Sequence, residues 1–124
     1  MTRVGVSVVA DPDEALGRRL QDWRAWAEVG FIDIACLQPG VETADDFERQ
    51  LRSARQLAAG AELWAGIGAH WLSPLETFDR IRTAHRVDVD GIIVWSYDSV
   101  IDPTQHPPGH LQQIGLALAT VPTR

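Results

Sequence analysis

Four short aliphatic runs recur along the chain about 30 residues apart: "VGVSVVA" over 4–10, "FIDIACL" over 31–37, "ELWAGIGA" over 62–69 and "GIIVWSY" over 91–97. Each is followed by a segment of helical period, the first spanning residues 12–30 and the last 107–121. Short apolar runs alternating with helices read as consecutive βα units, which require parallel strands joined by crossovers of right-handed sense. At 124 residues the chain has the size of one domain, able to bury a core without disulfide staples.

The helix starts are chemically legible. Asp11-Pro12-Asp13-Glu14 and Ser73-Pro74-Leu75-Glu76 place a capping side chain, a proline at the first helical position and a carboxylate able to reach back. Thr43 with Asp45 and Asp46 is a looser version. These acids, with Glu76, are therefore read as helix-start residues favoured by the macrodipole, not as catalysts. Gly30 and Gly60 are expected to close the first two helices in left-handed conformation. Trp23, Trp26, Leu16, Leu20 and Ala27 fall on one helical face and read as core.

Parallel βα units leave two architectures open, a doubly wound sheet or part of a (β/α)8 barrel. Helices cover both faces of the former and only the outside of the latter. Alternate residues place Val4, Val6, Val8, Ile32, Ile34, Leu63, Ala65, Ile67, Ile92 and Val94 on one uniformly aliphatic face. The other carries Gly5, Ser7, Val9, Asp33, Ala35, Leu37, Trp64, Gly66, Gly68, Ile93, Trp95 and Tyr97, a mixture suited to a barrel lumen. The expected fold class is thus α/β, four βα units forming half of a (β/α)8, or TIM, barrel with parallel strands. Four strands cannot close a barrel, and the outer runs would be exposed edges without charge or proline. Either a further half-barrel is missing, or two copies assemble, or the sheet flattens.

The order "LQDWRAWAEVGFIDIACLQP", "LWAGIGAHWLSPLETFDRIRTA", "VDGIIVWSYDSV" resembles the C-terminal half of the glycosyl-hydrolase-like family 10 barrels, a bacterial family. The elements are Gln21-Asp22-Trp23, Gly30 with Asp33, Gly66-Ile67-Gly68, and Asp90-Gly91 with Trp95-Ser96-Tyr97. The resemblance implies that these strands are the fifth to eighth of a barrel acting on carbohydrate. It also implies that part of the catalytic pair lies on strands outside this chain, and that full-length relatives are exported. Where the family ends its sixth strand in a motif closing on tyrosine, this chain has Leu37-Gln38-Pro39-Gly40 and no tyrosine.

Barrel chemistry gathers at the C-terminal strand ends. There the chain offers Gln38, His70, Trp71, Trp95 and Tyr97 as substrate-binding candidates, with indoles to stack on a sugar ring and polar groups to bond its hydroxyls. Glycoside hydrolysis needs two carboxyl groups about 5 to 10 Å apart. Asp98 is the one fair catalytic candidate, with Glu42 and Asp102 as weaker loop options. Asp33 and Asp90 enter their strands and read as structural. His106 and His110 have helical spacing, but "HPPGH" reads as a surface loop rather than a metal site. No metal and no cofactor are expected, since there is no phosphate loop, dinucleotide fingerprint or nucleophile elbow.

The net charge of −6 and eleven dispersed arginines give no basic patch, which argues against nucleic acid. Cys36 reads as a small core residue. With no membrane-length apolar run and no signal peptide, the chain as written is expected in the cytoplasm. The function expected is that of a glycoside-hydrolase-like half-barrel, catalytically incomplete alone. The alternatives are a non-catalytic carbohydrate-binding or self-assembling half-barrel and an unrelated small α/β binding domain.

Overall fold

The computed structural model describes residues 1–39 and 43–120. In chain order the elements are β1 (Gly5–Val9), α1 (Pro12–Arg19), α2 (Trp23–Glu28), β2 (Ile34–Gln38), α3 (Ala44–Leu57), β3 (Glu62–Gly68), α4 (Pro74–Arg86), β4 (Gly91–Trp95), α5 (Tyr97–Ile101) and α6 (His110–Thr120). The four strands form one parallel sheet in the order β1-β2-β3-β4. Every crossover therefore leads to the next strand in the same direction, and no strand order reversal of the doubly wound kind occurs. None of the described helices is long and apolar enough to cross a membrane.

Registered neighbours in a parallel sheet share a face. One face carries Val6, Val8, Ala35, Leu37, Leu63, Ala65, Ile67, Ile92 and Val94. These pack with Ala15, Trp23, Phe47, Leu51, Ala54, Ile81 and Ala84 of the helices in a single core. The opposite face carries Gly5, Ser7, Ile34, Cys36, Gln38, Trp64, Gly66, Gly68, Gly91, Ile93 and Trp95. Ile34, Trp64, Ile93 and Trp95 are half-buried and stand outside that core. Among the described residues, the helices cover one face of the sheet only.

Strict alternation assigns three strands correctly and reverses β2. Ala35 and Leu37 face the helices and are fully buried, whereas Ile34 faces the open side. The cause is visible where the strand begins. Val4 O accepts both the Asp33 amide at 2.8 Å and the Ile34 amide at 3.1 Å, two residues opposing one as in a β-bulge. Ile32 stays in the core, and the extra residue turns the rest of the strand over.

The single helix expected over 12–30 is two. Leu20 adopts φ 55° and ends α1, and Asp22 caps α2 by accepting from the Ala25 amide. The break lets both sides of the joint reach β1. Gln21 Oε1 accepts the Val9 amide at 3.0 Å, and Trp23 Nε1 donates to Val9 O at 3.1 Å. Leu16 and Leu20, expected in the core, are exposed: α1 buries Ala15 instead, and Leu20 sits in the left-handed turn that ends it. Gly30 is left-handed as expected, at φ 75°. At the end of α3 it is Ala59, at φ 50°, and not Gly60 that takes the left-handed conformation.

The other caps form as their sequences dictate. Asp11 accepts from the Glu14 amide, Thr43 from the Asp46 amide, and Ser73 and Glu76 complete a reciprocal capping box. Beneath the sheet, Asp33 Oδ2 accepts the Val4 amide at 2.7 Å, and Asp90 Oδ2 accepts the Leu63 amide at 2.9 Å and Arg55 Nη1 at 2.7 Å. Each acid ties its strand to the preceding one, so both are structural, as their position predicts.

Helices α3 and α4 are joined across their surfaces by Glu48, which accepts from Arg86 and from Arg52. The Arg86 bond first, then the Arg52 bond, holds the Glu48 carboxyl below the usual glutamate range. A folded-state value below the unfolded one favours folding above the ordinary glutamate range, and that contribution is lost as pH falls through the folded value. Thermal melts of Glu48→Gln should therefore lie below wild type at neutral pH and converge with it in acid. A difference that is constant with pH would assign the effect to packing alone.

Candidate functional site at the carboxyl ends of the strands

The C-terminal ends of the strands bring together Ser7, Gln38, Gly68 and Trp95, and the chain leaving β3 adds His70 and Trp71. Gln38 Nε2 donates to Ser7 Oγ, linking the ends of β2 and β1 on the open face. His70 Nδ1 donates to Trp95 O at 3.3 Å, linking the β3 exit to the end of β4. With Nδ1 carrying the proton, Nε2 of the neutral ring is left as an acceptor. The His70 and Trp71 rings lie with centroids 4.0 Å apart.

Glycine makes room for the aromatic rings. A Cβ on Gly68 would come within 2.8 Å of Trp71 Nε1 and 3.2 Å of His70 Cε1, so both rings fold back over that strand end. A Cβ on Gly91 would fall 2.5 Å from the Trp64 indole. Trp64 thus lies flat across β4, held by its Nε1 donating to Glu62 Oε2 at 3.0 Å. A Cβ on Gly66 would lie 3.6 Å from Cζ2 of the Trp95 indole. Trp64 was not singled out among the candidate binding residues. The available signal was Gly91, its registered partner on β4.

The chain turns sharply after β4. The Trp95–Ser96 peptide is cis, and the strand expected to run to residue 97 ends at Trp95. Tyr97 is therefore not a lumen-facing strand residue. It begins α5 with its side chain 65% exposed. Asp98 sits in the first turn of the same helix, exposed, and no side chain among the described residues is bonded to it. Asp102 is committed elsewhere. It accepts the Thr104 hydroxyl at 2.7 Å, the Thr104 amide at 2.8 Å and Gln105 Nε2 at 3.0 Å, bonds that hold its carboxyl below the usual aspartate range, those from Thr104 foremost. It is a turn residue. Glu42, the remaining loop option, lies outside the described residues, as does Gly40.

The "HPPGH" segment is a surface loop at Pro107, Pro108 and Gly109, as expected, but its two histidines turn inward. His106 and His110 are buried and stacked, centroids 4.1 Å apart and planes 11° from parallel. Their Nε2 atoms donate to His70 O at 2.8 Å and Ala69 O at 3.3 Å. The pair thus pins the turn that presents His70 and Trp71. Stacked rings direct their remaining lone pairs side by side rather than toward one point, which is unsuited to sharing a metal ion. Among the described residues no cluster of three or more histidine, cysteine or acidic side chains is gathered. Cys36 is buried, as expected, and burial pushes its thiol up.

Two concavities of the surface are lined by none of Gln38, His70, Trp71 and Trp95. One sits between α1 and α2 beside Leu16, Gln21 and Arg24, and another at the opposite end of the sheet beside Arg3, Asp33 and Glu62. The aromatic strand ends form a wall without an opposing wall. Compared with known protein families, curated proteins and solved structures, the chain matches none.

Proposed function

We propose that the chain is one half of a glycoside-hydrolase-like (β/α)8 barrel and supplies an aromatic wall of a carbohydrate site. The observation that carries this reading is the uncovered sheet face, where indoles lie over glycines and the strand ends converge. A barrel lumen has this composition, and the helix-covered face has the composition of a barrel exterior. The strand order and the helices on one face support it over a doubly wound binding domain. The sequence resemblance to glycosyl-hydrolase-like family 10 supports the substrate class.

Trp71, 74% exposed, and Trp95 would stack on the apolar face of a sugar ring. Gln38, His70 and Tyr97 would bond its hydroxyls, His70 through Nε2 as acceptor. Asp98 would supply one carboxyl group. A second at hydrolytic distance is not provided by Asp33 or Asp90, which hold the other end of the sheet, nor by Asp102. The chain alone is therefore a sugar-binding wall and an incomplete hydrolase.

Titrating the intrinsic tryptophan fluorescence with neutral oligosaccharides tests the reading. Binding should perturb the emission, and Trp71→Ala should weaken it about tenfold, as loss of one stacking contact does. Failure of every saccharide to bind would remove the carbohydrate assignment, and binding indifferent to Trp71→Ala would remove Trp71 from its site. If the chain hydrolysed a glycoside and Asp98→Ala left the rate unchanged, the carboxyl assignment would fall.

A further inference from the structure

The open face and the outer edges of β4 and of β1 form one continuous surface, closed at Val9, whose amide and carbonyl bond Gln21 and Trp23, and its extent can be gauged. The chain exposes 7619 Å², whereas a monomeric protein of 13.7 kDa is expected to expose about 6,600 Å². The excess, about 1,000 Å², is close to the roughly 800 Å² that each partner contributes to a stable protein interface.

Exposed apolar side chains are distributed in the same sense. Helix α3, at the middle of the layer, exposes no large hydrophobic residue, and α4 exposes only Leu75, in its first turn. The flanks differ. On the β4 side α6 exposes Leu111, Leu116 and Leu118, with Leu116 67% accessible. On the β1 side α1 exposes Leu16 and ends at Leu20, 83% accessible. Beside them run β1 and β4, each five residues long and without a charged side chain.

We infer that the surface is covered by a second copy of the chain, related by a two-fold axis along the strands, with β4 of each copy pairing in parallel with β1 of the other. This rests on the barrel reading above, not on the sugar assignment. One chain carries both sides of the joint. An all-parallel sheet presents at β4 the edge that the next strand would follow and at β1 the edge that a preceding strand would meet. A two-fold axis uses that joint twice and leaves no edge. Four strands from each copy make eight, the number at which inward side chains fill a barrel. The same rotation sets α6 beside α1 of the other copy, covering Leu116 and Leu16 together. It also supplies the missing wall, since each strand-end residue, Asp98 included, then occurs twice around one mouth.

Sedimentation equilibrium of the whole chain at tens of micromolar, with circular dichroism as the check on folding, tests the inference. A mass twice that of the chain is expected. Ile93→Asp on the open face and Leu116→Glu on the flank should each reduce it to one copy with helical content retained, while Ser53→Glu on the outward surface of α3 should leave the dimer intact. A folded monomer would overturn self-assembly, leaving the half-barrel in need of a different chain. Open-ended aggregation of the folded protein would also overturn it, since a closed two-fold joint has no free edge. A dimer that survives both Ile93→Asp and Leu116→Glu would pair through another surface and would overturn closure of the sheet itself.

Discussion

Replacing Trp23 with alanine should cost about 4 kcal/mol of folding stability, within the range for truncation of a buried aromatic. Trp23 is fully buried and donates Nε1 to Val9 O, so the substitution opens a cavity and leaves a carbonyl of β1 without its partner. For a domain of this size that corresponds to a fall in melting temperature of about 15 °C. Trp26, three residues on and half-buried, provides the control. Trp26→Ala should cost about 1 kcal/mol, within the ordinary range for point substitutions. Equal losses in denaturant melts of the two variants would show that α2 is held by general burial and not by the joint with β1.

Gly66→Ala should destabilise the chain by about 3 kcal/mol, the upper range for overpacking a close contact. The added Cβ would lie 2.7 Å from Leu37 O, a backbone atom of the neighbouring strand that cannot swing aside. The Trp95 indole would meet the same Cβ at 3.6 Å, an ordinary contact, so the cost comes from the backbone clash. Gly91→Ala meets a side chain instead. The Trp64 ring at 2.5 Å can rotate at the expense of its bond to Glu62, and a loss of about 1 kcal/mol is expected. Gly60→Ala, with no neighbour within 4 Å, should be neutral or slightly stabilising. If thermal melts rank the three variants otherwise, close approach is not the reason for glycine on the open face.

The sequence was most informative where a local rule acts alone. The spacing of the aliphatic runs placed all four strands, and Asp11, Thr43 and Ser73 marked the starts of their helices, because a cap depends on only three or four neighbouring residues. It was least informative where one residue changes phase. The double acceptance at Val4 O reverses the face of β2, and the left-handed turn at Leu20 breaks one helix into two. Neither position carries glycine, which would have announced it. The candidate site divides in the same way. Gln38, His70, Trp71 and Trp95 gather at the strand ends because periodicity and topology put them there. Tyr97 moves to α5, and the burial of His106 and His110 could not be read locally, since their partners are carbonyls in the turn after β3.

That last connection orders events in the life of the chain. The turn presenting His70 and Trp71 is complete in sequence by residue 73, yet the bond from His110 Nε2 to Ala69 O spans 41 positions, and that from His106 spans 36. Contacts of such separation form only after the intervening chain has been made and has closed on itself. During synthesis, the aromatic strand ends of β3 must therefore wait for α6 to dock before they are set. A nascent chain halted before α6 would hold a sheet whose strand ends are not yet set, and this part of the surface would mature last, from the carboxyl terminus inward.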